Sequence, residues 1–269
     1  MIIILIETIK RNHRISMRAF PWSFIFGRFV GGAYTALFSY FVYYYMFNGS
    51  VSNQFKSYIG SSDYMTYSIL GASFYVFSIA VLMNVGRSLM NEHRNGTLET
   101  LLLSPVSRKG YLVGNLLEQV GTSFLEMGTI IIIGWILGAQ YSYIHIDQLI
   151  LVWIISLISL FSMSVCLASV MLYLRDTYIT QNTLFLIINL ICGISFPIQY
   201  LPKCIQFLSN LIPLTGNLTL FRNIVMNGKS VLNNLGLFMQ VFLLSIIYLF
   251  IGFYWIQKSE KKYTENVFS

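Results

Sequence analysis

The sequence predicts an all-α membrane protein: six transmembrane helices, an amino-terminal interfacial helix, and re-entrant helices before the last span. Three observations carry this prediction. Hydrophobic residues make up 56% of the chain and charged residues only 10%, whereas a soluble domain carries about 25% charged residues. The charges are clustered, leaving 29–55, 64–86, 127–146, 148–174, 177–202 and 230–257 with none. A helix needs roughly 20 apolar residues to cross the hydrocarbon core. Finally, runs such as Ile130-Ile131-Ile132-Ile133 do not alternate, as barrel strands would. In lipid each backbone polar group must be bonded internally, so such runs are helices.

Taken in order, the first element is not a secretory signal, because the apolar run from Ile2 to Ile6 precedes the positive charges. Wound as a helix, Glu7, Lys10, Arg11, Arg14 and Arg18 fall on one side, opposite Ile2, Leu5, Ile6, Ile9, Met17 and Phe20. That is the pattern of an interfacial helix over 1–23. Spans follow at 24–47, 64–90, 111–138, 148–173, 178–200 and 232–257, with turn signals at Asn48-Gly49-Ser50, Asn95-Gly96, Pro202 and Asn227-Gly228. Gly27/Gly31, Gly110/Gly114 and Gly134/Gly138 are small pairs at the spacing that lets helices approach closely.

Placing alternate loops on opposite sides puts thirteen Lys and Arg residues on one face and four (Lys56, Lys203, Arg222, Lys229) on the other. The richer face, with both termini, is cytoplasmic. The expectation is a multi-pass protein of the cytoplasmic membrane. Its net charge of +7 answers to topology and anionic lipid rather than to nucleic acid. The region 201–231 is apolar, but Pro202, Pro213 and Arg222 interrupt it, and a seventh crossing would put the Lys-rich tail outside. It is expected as two short helices that dip into the outer leaflet, return, and pack against other spans.

Cys166, Cys192 and Cys204 form no CxxC or Cys/His cluster, and His13, His93 and His145 lie in separate segments. No metal, redox or hydrolytic site is expected. Asn223 to Ser230 ends like a phosphate loop, in Gly228-Lys229-Ser230. It lacks the first glycine and any preceding strand, so it is read as chance. In span three, Asn115, Glu118, Gln119, Thr122, Ser123, Glu126 and Thr129 recur at helical steps as one polar stripe. Intramembrane carboxylates are costly and face a cavity or a partner. The stripe either shapes a transport route or a subunit seam, or simply bonds neighbouring helices. Tyr40, Phe41, Tyr43, Tyr44, Tyr45 and Phe47, with Tyr141 and Tyr143, suit an interfacial belt or the lining of an amphipathic route.

The most informative segment is the loop 91–108. Gly96 permits a break after a long helix. Thr97 can cap a new one, Glu99 favours its first turn, and Pro105 ends it. The product is a helix of about two turns showing Leu98, Leu101 and Leu102. A helix this short is unstable alone in water, so it needs a surface: its own bundle or a cytoplasmic partner.

Glu92, Gly96-Thr97-Leu98-Glu99, Leu101-Leu102, Ser104-Pro105 and Arg108 stand in the order and spacing of a known docking motif, and Arg94 lies within the same loop. Leu201-Pro202, Pro213-Leu214 and Arg222 match a later pattern, with Gly216 as a departure. The chain thus resembles the permeases of ABC-2-type exporters, in architecture over 1–269 as a single permease domain. The resemblance implies a second permease, identical or different, and two ATP-binding subunits that carry ATP and Mg. It also implies a coupling helix at 91–108, and no ATPase site and no cofactor on this chain. The Gly-Thr-Leu-Glu loop resembles the drug and natural-product branch, which implies an amphipathic cargo. A lipid-linked polysaccharide is the alternative within the family. An ion-coupled transporter using Glu118 and Glu126 is the alternative outside it.

Overall fold

The computed structural model describes residues 2–19, 21–50, 52–60, 63–103, 107–141, 145–174 and 178–268. Among them are helices and turns and no strand. The helices are α1 (Ile2–Ala19), α2 (Pro21–Phe41), α3 (Asn53–Ile59), α4 (Tyr64–Arg94), α5 (Leu98–Leu103), α6 (Arg108–Ile136), α7 (Ile146–Leu174), α8 (Tyr178–Ile191), α9 (Lys203–Leu211), α10 (Pro213–Asn227) and α11 (Leu235–Phe268). Four segments are long and apolar enough to cross a membrane: α4, α6, α7 and Val231–Lys258. The chain is an all-α membrane protein.

Helix α4 is the hub. It packs on α6, α7, α2 and α10, and Phe74, Phe77, Val81 and Val85 along it are buried. It starts at Asp63, whose carboxylate accepts from the Thr66 amide at 3.0 Å, a capping contact for an otherwise unpaired donor. The rings of Phe74, Phe77, Phe124, Trp153 and Phe221, with centroids 4.9–5.9 Å apart, tie α4, α6, α7 and α10 together. The last helix lies along α7, where Ser159 and Ser245 share a 2.6 Å hydrogen bond. A Cβ on Gly252 would sit 2.8 Å from the Cys166 backbone nitrogen, so glycine sets that approach.

The two remaining expected spans differ from the prediction. The first, expected over 24–47, is α2 from Pro21 followed by a π turn over Val42–Met46. The fifth, expected over 178–200, is helical only to Ile191; a bent stretch then leads to a 3-10 turn at Ile198–Tyr200. Gly193, at φ +70°, gives the left-handed turn that ends it. The short helix α3 was not anticipated from the sequence. Ser52 caps it and Phe55 anchors it against Tyr64 and Tyr67.

Two helices do occupy 201–231. Pro213 opens α10 at its first turn, where a missing amide hydrogen costs nothing. Helix α10 packs on α4, α7 and α11. At Gly216 a Cβ would overlap Val241, so the departure at this position accompanies a tight α10–α11 contact.

Candidate functional site

The loop after α4 breaks at Gly96 as the sequence predicts, but Thr97, expected to cap the next helix, donates its hydroxyl back to Glu92. Gly96 has φ +69°. Its amide donates to the His93 carbonyl at 3.1 Å, and the Thr97 amide to the Glu92 carbonyl at 2.9 Å. This pair of backward bonds closes a helix whose last carbonyls are unpaired. The short helix α5 follows at once. Ser104 and Pro105 lie outside the described residues, as does the side chain of Leu102.

Leu98 is 1% exposed and sits in the same core as Val85, Leu89 and Leu112, with Leu101 packed against it. The apolar face of α5 therefore rests on its own bundle, which supplies the surface that so short a helix needs. Of the two surfaces the sequence left open to Leu98, its own bundle or a partner, the bundle takes it. Arg94, Asn95, Gly96, Glu99 and Thr100 are exposed, and Leu103 is 74% exposed.

Behind α5 lies a knot centred on Glu92, 7% exposed. Its Oε1 accepts from the Arg11 guanidinium at 2.5 Å and the Tyr111 hydroxyl at 2.9 Å; its Oε2 accepts from the Thr97 hydroxyl at 2.5 Å. Glu92 lies past the predicted end of its span at residue 90. The hydrogen bonds from Thr97, Arg11 and Tyr111 satisfy both oxygens of this buried carboxylate. Arg11 also lies 5.6 Å from the Tyr111 ring centroid. The knot joins α1, α4, α6 and the docking loop. Arg11 was expected on the solvated side of an interfacial helix. It is 46% exposed there, and its guanidinium still reaches Glu92; α1 also packs along α6, with Thr8 buried against Gly114 and Asn12 donating to Asn115 at 2.7 Å.

The polar stripe of α6 divides into three parts. Asn115 meets α1. Glu126 pairs with Arg28 of α2 at 3.4 Å, both side chains about four-fifths buried, beside Gly31 and Gly32, where a Cβ would come within 3.3 Å of α6. Thr122 bonds back to the Glu118 and Gln119 carbonyls of its own helix. Glu118 is 6% exposed. Its Oε2 accepts from the Gln119 amide. Oε1 of Glu118 and Oε1 of Gln119 are buried without a hydrogen-bond partner among the described residues. Both residues line a cleft of about 420 Å³ that also touches Arg11, Asn12, Glu92, Arg94 and Tyr111. The stripe thus meets α1 at Asn115 and α2 at Glu126 and borders a cleft at Glu118 and Gln119.

At the other end of the bundle Arg222 is 7% exposed. It donates to the carbonyls of Gly193 at 2.6 Å, Ile194 at 2.5 Å and Tyr67 at 3.0 Å, and lies 3.5 Å from the Tyr67 ring centroid. These carbonyls include those freed where α8 stops, so the guanidinium supplies the missing donors. Pro202 and Pro213 precede the first turns of α9 and begin α10. Asn223 to Asn227 are the end of α10, closed by Gly228 at φ +60°. That is a helix carboxyl end, whereas a phosphate loop presents an amino end.

Sequence reasoning named Glu92, Glu118, Glu126 and Arg222. It missed Arg11, Asn12, Arg28 and Tyr111 as their partners or neighbours. A family model described as ABC-2 type transporter matches residues 6–226. No curated protein matches the chain.

Proposed function

The chain belongs to the ABC-2 type transporter family, a family of membrane permease domains that work with ATP-binding subunits, and on that premise we propose that it is the spanning half of an ATP-driven exporter. Its cargo is an amphipathic molecule moved out across the cytoplasmic membrane. The chain crosses six times, through α2, α4, α6, α7, the segment from α8 to Tyr200, and α11, with both termini inside. It pairs with a second permease, and ATP and Mg are held on the separate subunits.

The observation that carries this reading is the build of the docking loop. Helix α5 is fixed from behind by Leu98 and the Glu92–Arg11–Tyr111–Thr97 knot, while Glu99 and Leu103 stand free. A short helix held rigidly at its base and exposed at its tip suits transmission of a push. A partner that displaces α5 also moves α1, α4 and α6 through one carboxylate. This supports a coupling role for 91–108 in which Glu99 and Leu103 touch the ATP-binding subunit and Glu92 transmits.

Co-purification with the candidate ATP-binding subunit tests this. Wild type should form a complex with ATPase activity. Glu99→Arg, a charge reversal at an exposed position, should lose both while the chain alone keeps its melting temperature. A wild-type chain that purifies without such a partner and still moves solute would sink the reading.

A further inference from the structure

We infer that the cleft between α1, α4 and α6 binds an organic amine, its ammonium group held by Glu118 and Gln119. The naming of that amine as cargo rests on the exporter reading; the binding does not.

The argument starts from unpaired atoms. Oε1 of Glu118 and Oε1 of Gln119 are both acceptors, both buried, and both without a donor among the described residues. They are adjacent in sequence, and the Gln119 amide already donates to the other Glu118 oxygen, so its own oxygen is turned away. A buried carboxylate whose one hydrogen-bond donor is a neighbouring amide, with Arg28 and His13 acting on it only at a distance, is costly. Arg28 pairs with Glu126, and Arg11 with Glu92. What fits the gap is a group that donates two or more hydrogen bonds and carries positive charge. A primary ammonium has three donors and no acceptor.

The position and size of the space agree. Glu118 lies ten residues into α6, about 15 Å from Arg108 at 1.5 Å per residue, at membrane depth on a wall of the cleft. An ionisable group there is expected to face a cavity, not lipid. The volume, about 420 Å³, lies in the range of small-molecule pockets. Most of the lining is neutral: Asn84, Ser88 and Asn91 on α4, with Ile15 and the Tyr111 ring as apolar surface. One carboxylate and one amide oxygen are too few for Ca or Mg, which take six or more oxygens. Such a set recognises an organic cation better than a bare divalent ion.

Titration calorimetry of the purified full chain in neutral detergent, with phenethylammonium chloride as probe, decides the matter. Wild type should bind one per chain and saturate. Phenethyl alcohol, the uncharged counterpart, should bind at least tenfold more weakly. Glu118→Gln should weaken the ammonium at least tenfold and Gln119→Leu severalfold, whereas Glu7→Gln, on the exposed side of α1, should leave it unchanged. Should Glu118→Gln fail to fold, the amine–alcohol contrast and Gln119→Leu still decide. Equal binding of amine and alcohol, or equal binding by Glu118→Gln, overturns the site. Binding by the chain alone that vanishes when the ATP-binding subunit is added gives the cleft to that subunit's side chains and overturns a small-molecule occupant. Amine binding by a chain that forms no complex with an ATP-binding subunit keeps the site while the exporter reading fails.

Discussion

Arg222 shows what a single buried charge does in this bundle. Three carbonyls and the face of Tyr67 surround it, and two of the carbonyls belong to the stretch where α8 gives way to irregular chain. Hydrogen bonds to a charged group contribute about 1.5–3 kcal/mol each, and removing one partner of a buried charged set costs about 3–5 kcal/mol. Arg222→Lys should not rescue, because an ammonium lacks the planar fork that reaches several carbonyls at once. A fall in melting temperature similar to that of Arg222→Met, measured in detergent, is the expected result; a wild-type melting curve for Arg222→Lys would show that the fork is not needed. Gly71→Ala should act in the same direction, since its Cβ would overlap the guanidinium and the Ile194 carbonyl. Arg222 was legible in the sequence as a charge in an apolar stretch. Its acceptors were not, because backbone carbonyls carry no residue signature.

Among the elements, α5 was the best anticipated and the most instructive. Its boundaries follow from local chemistry: Gly96 in the left-handed region and a leucine-rich turn. Which face would be buried did not, since Leu98, Leu101 and Leu102 suit a partner as well as the parent bundle. The fold placed Leu98 in the core, and this separates anchor from contact. Leu98→Ala should cost about 2–5 kcal/mol by leaving a cavity, seen as a lower melting temperature of the chain by itself. If Leu98→Ala melted like wild type and lost only complex formation, Leu98 would belong to the docking surface after all. Helix α8 gives the opposite lesson. Its charge-free run to residue 202 reads as one span, yet Gly193, Pro197 and the grip of Arg222 stop the helix at Ile191.

At the scale of the whole molecule, the proposed topology assigns α9 to the outer face. Cys204 on α9 is exposed, whereas Cys192 is buried. A membrane-impermeant maleimide added to intact cells should therefore label the protein, and Cys204→Ser should abolish the label. Labelling that requires permeabilised cells would place α9 inside and reverse the assignment of both termini. Helix α10 packs on α4, α7 and α11, the contact with other long helices that the sequence led one to expect of the region 201–231.

The sequence by itself determined the class of the protein, the positions of most long helices, the break at Gly96 and the residues at which charge enters an apolar setting. It could do so because lipid is a demanding solvent: each crossing needs its own run of apolar residues and its own internal hydrogen bonds, constraints that act along the chain. Only the tertiary structure decided what those charges meet. Arg11 finds Glu92 across 81 residues, and Arg222 finds Tyr67 across 155. Glu126 is spent on Arg28, while Glu118 is left facing a cleft. Spacing along one helix fixes which side a carboxylate occupies; which neighbour covers that side depends on how the helices pack.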